Sequence, residues 1–168
     1  MATETERVKE WLSRYASAMR EVALLRIRAD NMRQRAMSPA SSNIDGMPRA
    51  PDFSGDKYGG MIGEANSLED EAAEKEQQAL ALYREIDSEI RQIGGMRGAE
   101  RRFILQARYL DCLKWPDITY LLFGDDKDFL EKEDTMQKRA FKIHAAALKD
   151  LSAILVSEKQ RQENEQNR

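Results

Sequence analysis

Apolar residues recur along the first part of the chain in alternating steps of three and four: Val8, Leu12, Tyr15, Met19, Val22, Leu25, Ala29, Met32 and Ala36. That spacing lays one narrow stripe along one side of an α-helix. Neither Gly nor Pro interrupts residues 5–37, so the pattern predicts one unbroken helix there. A second stripe, Tyr58, Met61, Ala65, Leu68, Ala72, Ala79, Leu82, Ile86, Ile90 and Ile93, predicts a helix over residues 58–93. Its middle is weaker, because Lys75 interrupts the stripe and Glu69, Asp70, Glu71, Glu74 and Glu76 crowd around it. Two helices of similar length with matching stripes pair most simply antiparallel, as a coiled-coil-like hairpin. Each stripe serves equally as a core face or as a dimer seam. A two-helix hairpin buries little by itself, so a third helix or a second copy of the chain is expected against it.

Between the stripes, residues 38–57 change character. They hold Pro39, Pro48 and Pro51, two glycines and several Ser, Asn and Asp residues, and read as a loop. After the second stripe, three glycines in residues 94–98 predict a hinge that ends the helix and begins a separate unit. Three amphipathic segments follow, over residues 101–113, 116–123 and 134–155, in the order of a helix-turn-helix. Pro116 suits the first turn of the middle segment, where a backbone N–H has no helical partner, and Gly124 suits its end. The expected architecture is all-α: a hairpin over residues 1–93, a hinge at 94–98, a helix-turn-helix unit over 99–156 and a frayed polar tail over 157–168.

Composition sharpens this picture. Charged residues make up 34% of the chain and aromatics 7%, with only 9 Gly and 4 Pro, which favours long helices over sheets. The net charge of −3 argues against coating nucleic acid by bulk attraction, so any such contact must come from a local patch. The single cysteine, Cys112, excludes an internal disulfide and suits a reducing cytoplasm. No run of 18 apolar residues is present and the first ten residues are polar, so neither a membrane span nor a signal peptide is expected.

The local patch is on the last amphipathic segment. Projected at 100° per residue, Met136, Ala140, Phe141, Ile143, Ala147, Leu148, Leu151, Ile154 and Leu155 fill one arc. Lys138, Lys142 and Lys149 sit opposite, with Thr135, Arg139 and Ala146 at the edge. A helix with one face packed and the other basic meets the needs of DNA recognition, though a solvated basic face has the same pattern. Against the DNA reading stands the connection just before it. Asp125, Asp126, Asp128, Glu131, Glu133 and Asp134 face only Lys127 and Lys132, a local charge of −4 that repels phosphates. Trp115 reads as a core anchor and His144 as a neutral, hydrogen-bonded histidine in the apolar arc. With one His and one Cys there is no soft-ligand metal cluster. No nucleophile triad or phosphate-cradling Gly-Lys-Ser/Thr loop is present, and no enzyme, cofactor or metal is expected.

Two stretches carry a family resemblance. Arg108-Tyr109-Leu110-Asp111, then Trp115, Ile118, Leu122-Phe123-Gly124 and His144-Ala145-Ala146-Ala147-Leu148, resemble the fourth region of sigma-70-type factors as it occurs in small phage regulators. Gly46-Met47-Pro48-Arg49 with Asp56-Lys57 resembles the loop joining the two N-terminal helices of the same proteins. These are prophage-encoded activators of late, packaging or lysis genes, of the RinA and ArpU type, together with a family of unknown function. In this chain Cys112 stands where a helix-ending Gly is usual, and the acidic segment lengthens a normally tight turn. The resemblance implies a cytoplasmic transcriptional regulator in a bacterial host. Carried over by position, Thr135, Lys138, Arg139 and Lys142 would read duplex promoter DNA, with contact to host RNA polymerase; the charge pattern of the segment adds Lys149, and the hairpin stripes add dimerisation. Arg49 is a candidate partner contact, with a purely structural cap as the alternative for its loop. The competing reading of the whole chain is a structural or adaptor protein, small-terminase-like, acting through its hairpin with a degenerate helix-turn-helix.

Overall fold

Thr3 and Glu6 open the first helix with a reciprocal pair of hydrogen bonds. Thr3 N–H donates to Glu6 Oε2 at 2.8 Å, and Glu6 N–H donates to Thr3 Oγ1 at 3.3 Å. This capping box satisfies N–H groups that have no partner inside a helix, and it holds the Glu6 carboxyl below its usual range. The computed structural model describes residues 3–38 and 55–166. Its α-helices are α1 (Glu4–Met37), α2 (Gly55–Arg91), α3 (Gly98–Leu105), α4 (Trp115–Phe123) and α5 (Glu133–Gln166), with a π-helical turn (Gln106–Leu110) directly after α3. Among the described residues there is no strand. The fold is all-α, and the two long helices pack together, as their stripes predict.

Contacts divide the chain into two compact units, residues 18–79 and residues 1–17 with 80–168. In the first, α1 and α2 run antiparallel: Lys75 pairs with Glu21 at 2.7 Å, Arg26 with Glu76 at 2.7 Å, and Arg33 with Glu69. Ala29, Ala65, Ala72 and Ala79 are essentially fully buried. Side chains this small let two helix backbones approach closely, and Leu68, Leu25 and Met32 fill the rest of the seam. Lys75, the interruption in the second stripe, is therefore an inter-helical contact. Of the acids around it, Glu76 and Glu69 pair with Arg26 and Arg33 of α1. Exposed pairs of this kind set register more than stability.

The second unit has one larger core. Val8 and Leu12 of α1, Ile86 and Ile90 from the end of α2 and Ile93 just beyond it share it with Ile104, Leu105, Leu110, Ile118, Ile143, Leu148 and Leu151. Within it α5 packs against both α3 and α4. Each fully buried Leu or Ile contributes about 1.5–3 kcal/mol of transfer free energy. Two expectations are corrected here. Residues 94–98 are no hinge between units, because Ile93 and Ile104 on either side lie in the same core. Gly95 turns the chain at φ +86°, a conformation other residues rarely adopt, and Gly98 N–H closes the turn on Gly95 O at 3.0 Å. Helix α5 also extends past Val156 to Gln166, through a stretch rich in Glu, Gln, Lys and Arg whose residues 161–165 are exposed all round. Phe141, assigned to the buried arc of α5, is 42% exposed and packs edge-on to Trp115 with ring centroids 4.6 Å apart. The loop containing Gly46-Met47-Pro48-Arg49, and with it Arg49, lies outside the described residues.

Candidate nucleic-acid interface

The segment before the candidate face ends in an unusual way. After the π-helical turn, Asp111 N–H bonds Gln106 O at 2.9 Å and Leu113 N–H reaches Ala107 O at 2.9 Å. Closing the end this way puts Cys112 at φ 56°, the left-handed conformation that glycine usually supplies at a helix terminus. Helix α4 then starts at Trp115-Pro116. Thr119, buried, donates its hydroxyl to Trp115 O at 2.8 Å.

Trp115 anchors the inner side of the unit. Arg108 lies over its ring at 5.4 Å and donates to Leu113 O at 2.9 Å. His144 meets the Trp115 edge at 5.1 Å, stacks on Tyr109 at 5.8 Å, and shares a 3.1 Å hydrogen bond between its Nε2 and the Tyr109 hydroxyl. Burial pushes the His144 pKa down to about 4, with Lys9 and Arg108 adding in the same direction. The imidazole is neutral at physiological pH, and burial likewise raises the Tyr109 phenol. Among the described residues, no three His, Cys, Asp or Glu side chains are placed to hold a metal ion.

The acidic connection is a series of turns. Asp126 N–H bonds Phe123 O at 3.0 Å, Phe129 N–H bonds Asp126 O at 3.0 Å, and Lys132 N–H bonds Asp128 O at 3.1 Å. Phe129 pins the segment down, buried and edge-on to Tyr120 at 5.7 Å. Asp128 is neutralised locally by Lys132 at 2.6 Å, while Glu133 and Asp134 occupy the first turn of α5, where carboxylates are electrostatically favoured. None of these acids pairs with the basic face of α5 among the described residues.

That face is open. Thr135, Lys138, Arg139, Lys142 and Lys149 are all exposed, and none of the four cations forms an ion pair with another described residue. The buried side of the helix, Met136, Ala140, Ile143, Ala147, Leu148 and Leu151, fixes which side they present. The structure also separates them. Arg139 and Lys142 line a cleft of about 150 Å³ together with Arg97, Arg101, Ile143 and Ala146. Lys149 belongs to a different groove, beside Glu4 and Thr5 at the start of α1. Arg139 is seated over Phe123 at 4.9 Å, and Arg101 is paired with Asp150.

Arg97 and Arg101 were missed from sequence. Their four-residue spacing just after the glycines is visible, but only the packing of α3 on α5 brings them to the basic face. No helix among the described residues is long and apolar enough to cross a membrane. Matched against protein-family models, curated proteins and solved structures, the chain finds no counterpart in any of the three.

Proposed function

We propose that the chain is a DNA-binding transcriptional regulator of phage type, with α4 and α5 acting as the helix-turn-helix and α5 entering the major groove. The observation that carries this reading is the set of exposed cations on α5 that form no ion pair among the described residues, the acidic segment beside them included. Lys138, Arg139, Lys142 and Lys149 would meet backbone phosphates, with Thr135 near the base edges. The family resemblance adds host RNA polymerase as a second partner. Dimerisation belongs to the same proposal: Leu24 and Ile27 on α1 are 60% and 55% exposed and offer an apolar surface for it.

The test is a salt titration of duplex binding by fluorescence anisotropy, on fragments selected from a bacterial or phage genome. Four phosphate contacts give a log–log salt slope of about −3.6, so affinity falls about 150-fold from 50 to 200 mM salt. In the Lys138→Ala/Lys142→Ala double variant the slope drops to about −1.8 and the loss to about 12-fold. Unchanged affinity and slope in the folded double variant would remove α5 as the DNA-binding element.

One observation favours the adaptor reading. Tyr120, Leu121 and Leu130 are 62%, 58% and 87% exposed within and beside the acidic segment, a combination suited to a protein partner. Capture of a phage or polymerase protein without duplex affinity would select that reading. A ring of many copies in mass photometry would select the terminase-like variant.

A further inference from the structure

The cleft between α3 and α5 has properties that the outward row of lysines lacks. Arg97, Arg101, Arg139 and Lys142 converge on it from two helices and the turn before α3. None of the residues lining the cleft is acidic, and Arg101 is paired with Asp150 beside it. The cleft therefore keeps a local charge of about +3 in a space where two of the four cations are already oriented. Arg101 is held by Asp150 and Arg139 by the ring of Phe123, so an incoming anion need not immobilise either side chain. The buried Ile143 and the small Ala146 also line it, leaving a volume of about 150 Å³ clear of other long side chains. That is room for a phosphate group and a few waters.

We propose that this cleft is a phosphate seat. Three arginines line it, and several guanidinium forks together suit a tetrahedral oxyanion, whereas a carboxylate is satisfied by one fork. Resting on the DNA-binding reading, the occupant is a backbone phosphodiester. Arg97 and Arg101 then extend the interface from α5 onto α3 and fix how far the helix sits along the groove. A free phosphate shares the same chemistry, and the test separates the two sources.

Arg97 is the residue to change. It is exposed, makes no ion pair among the described residues, and its side chain does not cap α3, so its removal leaves the fold intact. The full-length chain would be titrated with inorganic phosphate and pyrophosphate while the arginine Nε–Hε resonances are followed by NMR. Duplex binding would be measured alongside as a function of salt. Millimolar phosphate should shift the Arg101 and Arg139 signals in the wild type and not in Arg97→Ala. The variant should lower the DNA salt slope by about one unit. Arg97→Lys should keep the slope while weakening the phosphate-induced shifts.

Shifts with phosphate in a chain that binds no duplex would leave the seat standing for a free phosphate and remove the DNA reading. Shifts with duplex binding whose slope ignores Arg97 would assign the seat to free phosphate and overturn the diester. No shifts and no slope change in Arg97→Ala, while Lys138→Ala/Lys142→Ala still flattens the slope, would overturn the seat and leave the DNA reading intact.

Discussion

Acidification should weaken this fold through one side chain. His144 is wedged between Tyr109 and Trp115, with Arg108 beyond the indole, and its Nε2 is committed to the Tyr109 hydroxyl. Protonating it brings a charge into an aromatic pocket that Lys9 and Arg108 already make positive, so its pKa falls from 6.5 to about 4. At pH 7 the imidazole is neutral both folded and unfolded and adds no pH dependence. Below 6.5 the unfolded chain takes up a proton that the folded chain refuses until about 4, so stability is lost across that window. Complete refusal would be worth at most about 3.4 kcal/mol. The ring is only partly buried, so solvent screening reduces this to about 1–2 kcal/mol. For a chain of this size that lowers the melting temperature by about 3–6 °C.

The comparison is with His144→Gln, which keeps a hydrogen-bonding group near Tyr109 but cannot titrate. Glu89 titrates in the same range with the opposite sign. Burial, its hydrogen bond to Glu158 and the charges of Glu158 and Glu85 push it up to about 7. The fold therefore gains stability from Glu89 as pH falls from about 7 toward its ordinary value. That contribution is common to both proteins and cancels in their difference. Thermal unfolding followed by circular dichroism from pH 7 to 4 should show the wild type losing ground to the variant below pH 6.5. Parallel curves, or an NMR titration midpoint for His144 at 6.5 or above, would refute the assignment.

Cys112→Gly should stabilise. It relieves a left-handed residue costing about 1–2 kcal/mol, against about 0.5–1 kcal/mol from the freer unfolded chain. A higher urea midpoint at constant m-value is expected, and a lower one would show that Cys112 is unstrained. Leu151→Ala, at a position with 0% exposure, should cost about 2–5 kcal/mol. Leu121→Ala, at 58% exposure, should stay within about 0.5 kcal/mol in the same melts.

Both long helices were legible from their stripes because a 3–4 spacing of apolar residues has one periodic solution, and side chains such as Val8, Leu12, Ile86 and Ile90 are indeed buried. The partners of those stripes were not legible. An amphipathic face requires burial but is silent about which neighbour supplies it, so the sharing of Val8 and Leu12 with Ile104 and Leu151 emerges only in three dimensions. Glycine-rich residues 94–98 misled for a related reason. The same glycine that permits a hinge also permits the tight turn that Gly95 makes. The helical extension of α5 to Gln166 is hidden in the sequence because a polar stretch has no apolar stripe to mark it, whereas strong helix formers continue a helix already anchored by a core.

Sequence alone therefore determined the secondary-structure class, the long helices and the side of α5 that carries its cations, since these follow from periodicity within one segment. Tertiary structure alone decided where the compact units divide, what stacks around His144, and that Arg97 and Arg101 join Arg139 and Lys142 at one cleft. Those facts depend on distances between residues far apart in the chain, and local free energies along a single helix carry no information about them.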